Sequence, residues 1–96
     1  MSNLWERVKV LEGKTLYTLA QQKPFRIVSV TDDRIVYIPK SGSGAPRWSW
    51  RKDIEYLVDI RIRKGELTPS HVATEFPSEY NSSYMASIVD EVVCNR

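Results

Sequence analysis

Cysteine is nearly absent: Cys94 is the only one in 96 residues, so no internal disulfide can form. Small secreted domains usually pair cysteines to compensate for a small core. A lone thiol therefore predicts an intracellular, cytoplasmic chain, with Cys94 a small apolar residue at the end of the last helix rather than a reactive group. In that setting the acceptor pattern Asn81-Ser82-Ser83 carries no sugar. No apolar run approaches the roughly 20 residues that span a bilayer, and Met1 to Leu19 is too charged for a signal peptide, so no membrane partner is expected.

Histidine is as scarce as cysteine. His71 stands four residues before Glu75, a spacing that makes a surface pair on a helix more readily than a catalytic dyad. With one His, one Cys and no cluster at ligand spacing, neither a metal site nor a nucleophile with its base is predicted. Neither GxxxxGK[ST] nor GxGxxG occurs, which leaves a phosphate-cradling loop or a small-molecule cofactor without support. The paired acids Asp32 and Asp33 fall in a turn, where local hydrogen bonding explains them. These absences predict a chain that is not an enzyme on its own.

What is present is ordinary in amount and uneven in arrangement. A composition of 42% hydrophobic and 27% charged residues predicts one folded domain over residues 1–96, with one modest core. Residues 1–64 hold 13 Lys and Arg against 7 Asp and Glu, whereas residues 65–96 hold Arg96 against Glu66, Glu75, Glu79, Asp90 and Glu91. One half of the molecule is basic and the other acidic.

Along the chain, Ser2 or Asn3 is placed to cap a helix over about 3–12, in which Leu4, Trp5, Val8 and Leu11 recur at helical spacing before Gly13. Trp5 is its anchor in the core. Thr15 to Leu19 reads as a strand from its propensities, although Leu16, Leu19 and Ala20 also suit a helical turn. Phe25 to Val30 and Ile35 to Pro39 then form a β-hairpin around Asp32-Asp33, over about 25–39. Apolar residues on both faces predict helices over one side and a loop or further strand partly over the other.

Ser41-Gly42-Ser43-Gly44-Ala45-Pro46 reads as a mobile loop. Beyond it, residues 47–50 are a possible strand, and Ser49 is placed to cap a helix over about 50–64 with Ile54, Leu57, Val58 and Ile62 on one stripe and Gly65 at its end. Residues 58–63 alternate like a strand, but the stripe extends back to Ile54, and the length favours a helix. Arg61, Arg63 and Lys64 suit the negative end of that helix. Thr68-Pro69 opens a short helix over about 69–75, Pro77 closes it, and Met85, Ile88, Val89, Val92 and Val93 mark a last helix over about 82–94. The predicted fold class is α+β: a small mixed sheet centred on the hairpin, with helices from both chain ends on one face.

The candidate site follows from the segment after the hairpin. Lys40, Arg47, Arg51 and Lys52 bring four positive charges, and Trp48 and Trp50 two indoles, into thirteen residues that contain no acid. Arg26 and Arg34 are neighbours on the sheet. Two tryptophans two residues apart share a face if the segment is a strand, and because large aromatics are mostly buried, at least one is expected in the core. The two last helices superficially match a helix-turn-helix, but Asp90 and Glu91 on the second argue against a DNA-reading helix. These residues predict a small binding module whose partner is nucleic acid, DNA or RNA, held through the basic Trp-containing hairpin loop. The alternative is an interaction domain that binds another protein or a second copy of itself.

Overall fold

The computed structural model describes residues 4–19, 21–40, 44–76 and 81–94. In chain order it contains α1 (Leu4–Lys9), β1 (Thr15–Tyr17), β2 (Pro24–Val30), β3 (Arg34–Pro39), β4 (Arg47–Trp50), α2 (Arg51–Lys64), α3 (Pro69–Glu75) and α4 (Ser82–Cys94). The hairpin β2–β3 is the middle of a four-stranded sheet in the order β1-β2-β3-β4. Every pairing is antiparallel, where a mixed sheet was expected, because each strand is joined to the next by a connection too short for a parallel crossover. At the hairpin turn the Thr31 hydroxyl donates to Asp33 Oδ1 at 2.8 Å and the Thr31 N–H to the Arg34 carbonyl at 2.9 Å.

Strand alternation divides the sheet into two unlike faces. Leu16, Phe25, Ile27, Ile35 and Tyr37 point inwards and join Trp5, Val8, Ile54, Leu57, Val72, Met85, Ile88 and Val89 in one apolar cluster. All four helices contribute to that cluster, so they lie on the same side of the sheet and the α+β class holds as expected. Phe25, Tyr37 and Tyr84 pack ring to ring at 5.1–5.7 Å and fill the layer between β2, β3 and the start of α4.

The helix ends follow their local chemistry. Thr68 caps α3 by accepting the His71 N–H, with Pro69 in the first turn. Gly65 ends α2 at φ 83°, in the left-handed region, and donates its N–H to the Arg61 carbonyl. The first helix is shorter than the expected 3–12: after Lys9 the chain tightens into i→i−3 turns, with Leu11 bonded to Val8 and Glu12 to Lys9. The possible caps Ser2 and Asn3, residues 41–43 of the expected mobile loop, and the helix-closing Pro77 lie outside the described residues.

One sequence expectation about a helix face is corrected. Ile62 was placed on the buried stripe of α2 but is 65% exposed, while Ile60 is buried. At about 100° per residue the two side chains point roughly 200° apart, so only one can face the core. Arg61 takes the position between them and donates to Asp90 of α4 at 3.2 Å, which locks the two helices together. The last helix is largely buried as well. Met85, Ala86, Ser87, Ile88, Val89 and Val92 are all buried, and the rest of the helix includes the half-buried acids Asp90 and Glu91. No helix among the described residues is long and apolar enough to cross a membrane.

Ile88 and Ile62 provide the test of this packing. Ile88→Ala is expected to destabilise the fold by about 2–5 kcal/mol through lost burial and a residual cavity. Ile62→Ala should stay within about 0.5 kcal/mol of the parent. Chemical denaturation midpoints of the two variants measure the contrast, and equal midpoints would contradict the assigned faces.

Candidate functional site

The face of the sheet opposite the helices carries Trp48 and Trp50, 47% and 43% exposed. The expectation that one of them is buried is therefore wrong, and the reason is steric. Side chains two apart on a strand share a face, so burying either indole would turn both inwards. The inward positions of β4 belong to Arg47, at the rim, and to Ser49, whose Oγ lies 2.9 Å from the Tyr37 hydroxyl. Behind it the ring cluster of Phe25, Tyr37 and Tyr84 already fills the space. Ser49 consequently does not cap α2: Trp50 holds the cap position, with no side-chain bond.

Register places the rest of this face. Arg34 lies opposite Trp50, Val36 opposite Trp48, and Arg26 opposite Ile38. The Arg34 guanidinium sits 5.9 Å from the Trp48 ring centre and 5.6 Å from that of Trp50, which ties the two indoles to the neighbouring strand. Val28, at a bulge between Ile27 and Ser29 of β2, and Tyr17 on β1 are exposed on the same face. The four strands contain no acid; of their three arginines Arg26 and Arg34 share this face, whereas Arg47, opposite the inward Tyr37, turns to the helix side.

The sheet edges are less open than the face. On β4 the Trp48 carbonyl accepts from Asn81 Nδ2 at 3.3 Å, and on β1 the Tyr17 carbonyl accepts from the Ser87 hydroxyl at 2.6 Å. Residues at the start of α4 thus occupy an acceptor on each outer strand, which hinders edge-on strand pairing. The open face acts through its side chains.

The four cations of the sequence segment are not one patch. Lys40 and Arg47 lie at one end of β3 and β4, while Arg51 and Lys52 follow the other end, with Arg51 four residues or about 13 Å along from Arg47. Arg47 donates to Asn81 Oδ1 at 3.0 Å and rests over the Tyr84 ring. Arg51 is committed to the fold: it donates to Glu55 and to the Asp32 carbonyl and covers the ring of Trp5. Lys52 borders a cleft of about 580 Å³ that it shares with Asp32, Asp33, Trp50, Arg51 and Glu55. The three carboxylates make that end unfavourable for a phosphate. The Asp32 carboxyl is held below its ordinary value of 3.8 by its hydrogen bond to the Lys9 ammonium at 2.8 Å, so it stays charged at neutral pH.

Sequence reasoning found the tryptophans and treated Arg26 and Arg34 as neighbours, but it missed Lys23. That side chain shares a cavity with Arg47 because β1–β2 and β4 end at the same side of the sheet. Only the register could have revealed it. Among the described residues no group of three or more His, Cys, Asp and Glu is arranged to hold a metal ion.

Trp5 supplies the control for the exposed pair. It is 2% exposed and donates its Nε1–H to the Thr31 carbonyl at 2.6 Å, so Trp5→Ala should remove about 3–5 kcal/mol of stability. Trp48→Ala and Trp50→Ala should each remove about 1 kcal/mol, the worth of a cross-strand pair with its cation–π contact. Thermal or denaturant unfolding of the three variants distinguishes these values. For Asp32, a depressed pKa means that its contribution to stability is present above the ordinary value and is lost as pH falls through the folded one. Lys9→Met should therefore raise the Asp32 pKa towards 3.8, read from its carboxyl shift in an NMR titration. No family model, no curated protein and no solved structure matches this chain, so its site is read from its own residues.

Proposed function

We propose that the chain is a non-enzymatic module that binds single-stranded nucleic acid, DNA or RNA, across the open face of its sheet. Bases stack on Trp48 and Trp50, with Arg34 beside them, while Arg26 and Lys40 meet the phosphates on that face and Arg47, whose side chain lies on the helix side, meets one at the edge of β4. The observation that carries the reading is the pairing of two exposed indoles with strands that hold three arginines and no acid. Stacking on aromatics is tolerant of sequence and contributes about 1–3 kcal/mol per base. A flat face suits splayed bases better than a duplex groove, and burial of α4 leaves the helix-turn-helix route without support. Lys52 and Arg51 are left out of the contact set because of the acids around them. A cytoplasmic setting agrees with a single cysteine, exposed at Cys94.

A second reading has its own observation. Tyr17 and Val28 are exposed on the same face, with Val36 and Ile38 of β3 half-buried between Val28 and the tryptophans, which is the kind of surface that two copies could share. Its outcome is distinct in the same experiment.

Fluorescence anisotropy with short labelled oligonucleotides, over a salt series and beside a light-scattering mass, tests both. Three phosphate contacts on a single strand should give a slope of log K against log salt of about −2. Trp48→Ala with Trp50→Ala should weaken binding at least tenfold while the protein stays folded, and Arg26→Gln should flatten the slope by about 0.7. If no strand binds at low ionic strength and the mass is that of a dimer which Trp48→Ala dissociates, the face is a self-association surface and the nucleic-acid reading is wrong.

A further inference from the structure

At the end of the sheet where Arg47 lies, the β1–β2 turn, the start of β4 and the first turns of α3 and α4 surround a cavity of about 310 Å³. Its described lining residues include the cations Lys23 and Arg47 and the hydroxyls of Thr18 and Ser83, and no acid. The contrast with the cleft beside Trp50, which holds three carboxylates, is one of sign. Of these two clefts among the described residues, this one offers an anion a concave site with cationic walls.

The cationic walls are held by contacts within the fold. Thr18 is 5% exposed, and its Oγ1 accepts the Lys23 N–H at 2.9 Å, which fixes the turn that carries Lys23. Gln22 completes that turn at φ 56°, a left-handed conformation that the two bonds between Thr18 and the 22–23 segment support. Arg47 is oriented by its bond to Asn81 and by the Tyr84 ring beneath it, which commits one of its five N–H donors. Tyr84, which lines the cavity, is held by its packing against Phe25 and Tyr37. The first turn of α4 carries no acid to oppose a negative charge.

We infer that this cavity is a phosphate-monoester site. Resting on the reading of the open face above, its occupant is the terminal phosphate of a strand whose bases lie on Trp48 and Trp50: β4 is an edge strand and Arg47, next to Trp48 in the chain, points to the opposite face, so a chain end that turns round that edge reaches the cavity. A free phosphate monoester offers the same chemistry, and the experiment separates the two sources.

The test uses the full chain and four probes: one oligonucleotide with a 5′-phosphate, with a 3′-phosphate, and with hydroxyls at both ends, and inorganic phosphate alone. One phosphorylated form should bind about tenfold tighter than the hydroxyl form, and inorganic phosphate should shift the amide resonances of Thr18, Lys23 and Ser83. Lys23→Gln should erase the preference and leave affinity for the hydroxyl-ended strand unchanged. Ser83→Asp should do the same with the helix intact, because an acid in the first turn of a helix favours folding while it repels a phosphate. Equal affinity for all three strands, with no resonance shift, would overturn the cavity inference and leave the stacking face standing. Resonance shifts with phosphate but no strand binding would uphold an anion site for a free monoester and overturn the strand as its source.

Discussion

The hydrogen bond between the Tyr37 hydroxyl and Ser49 Oγ, 2.9 Å long inside the core, decides which side of the sheet faces the solvent with aromatic side chains. Both hydroxyls are buried and would be costly to leave unpaired, so the bond holds β4 in a register that turns Ser49 inwards. Because the side-chain period of a strand is two, that choice turns Trp48 and Trp50 outwards together. A slip of one residue would exchange a small hydroxyl for two indoles in a layer already filled by Phe25, Tyr37 and Tyr84. The exposed tryptophans are thus a consequence of core packing.

The other side of the molecule serves that face. The helices share one core and leave the opposite surface of the sheet uncovered by any part of it. The start of α4 reaches across the sheet's width, with Asn81 bonded to Trp48 and Ser87 to Tyr17. A flat sheet with open edges invites pairing with another chain, and occupying an edge acceptor on each side directs recognition to the side chains instead. Charge follows the same division. Acids sit in helices and turns, where Asp90 holds Arg61, Asp59 holds Arg63 and Asp32 holds Lys9, while the strands keep arginine alone.

Residues that looked equivalent in the sequence have separate tasks. Arg51 and Arg47 both flank the tryptophan strand, yet Arg51 is bound to Glu55 and the Asp32 carbonyl over Trp5 and joins α1, α2 and the hairpin turn. Arg47 faces a cavity with Lys23. Two cations four residues apart thereby end on opposite ends of a strand, one engaged by carboxylate and carbonyl oxygens and one beside hydroxyls, and only the latter suits an anion.

The elements were readable from the residues because each depends on neighbours within a few positions. The Asp32-Asp33 turn, the Thr68-Pro69 helix start, the Gly65 stop and the apolar stripe of α4 all rest on local backbone preferences and on periodicity. The local pattern even supplied the pairing of Trp48 with Trp50 on one face. It did not supply which face, because that rests on Tyr37, twelve residues away, and on Tyr84. The same holds for Ile60 in place of Ile62, for the division of Lys40 and Arg47 from Arg51 and Lys52, and for Lys23 beside Arg47. Helix and strand are set by short-range sterics and hydrogen bonding, whereas register, facing and the meeting of distant charges are set by how the core fills space, and contacts such as that of Ser87 with Tyr17, seventy residues apart, exist only once the chain has packed.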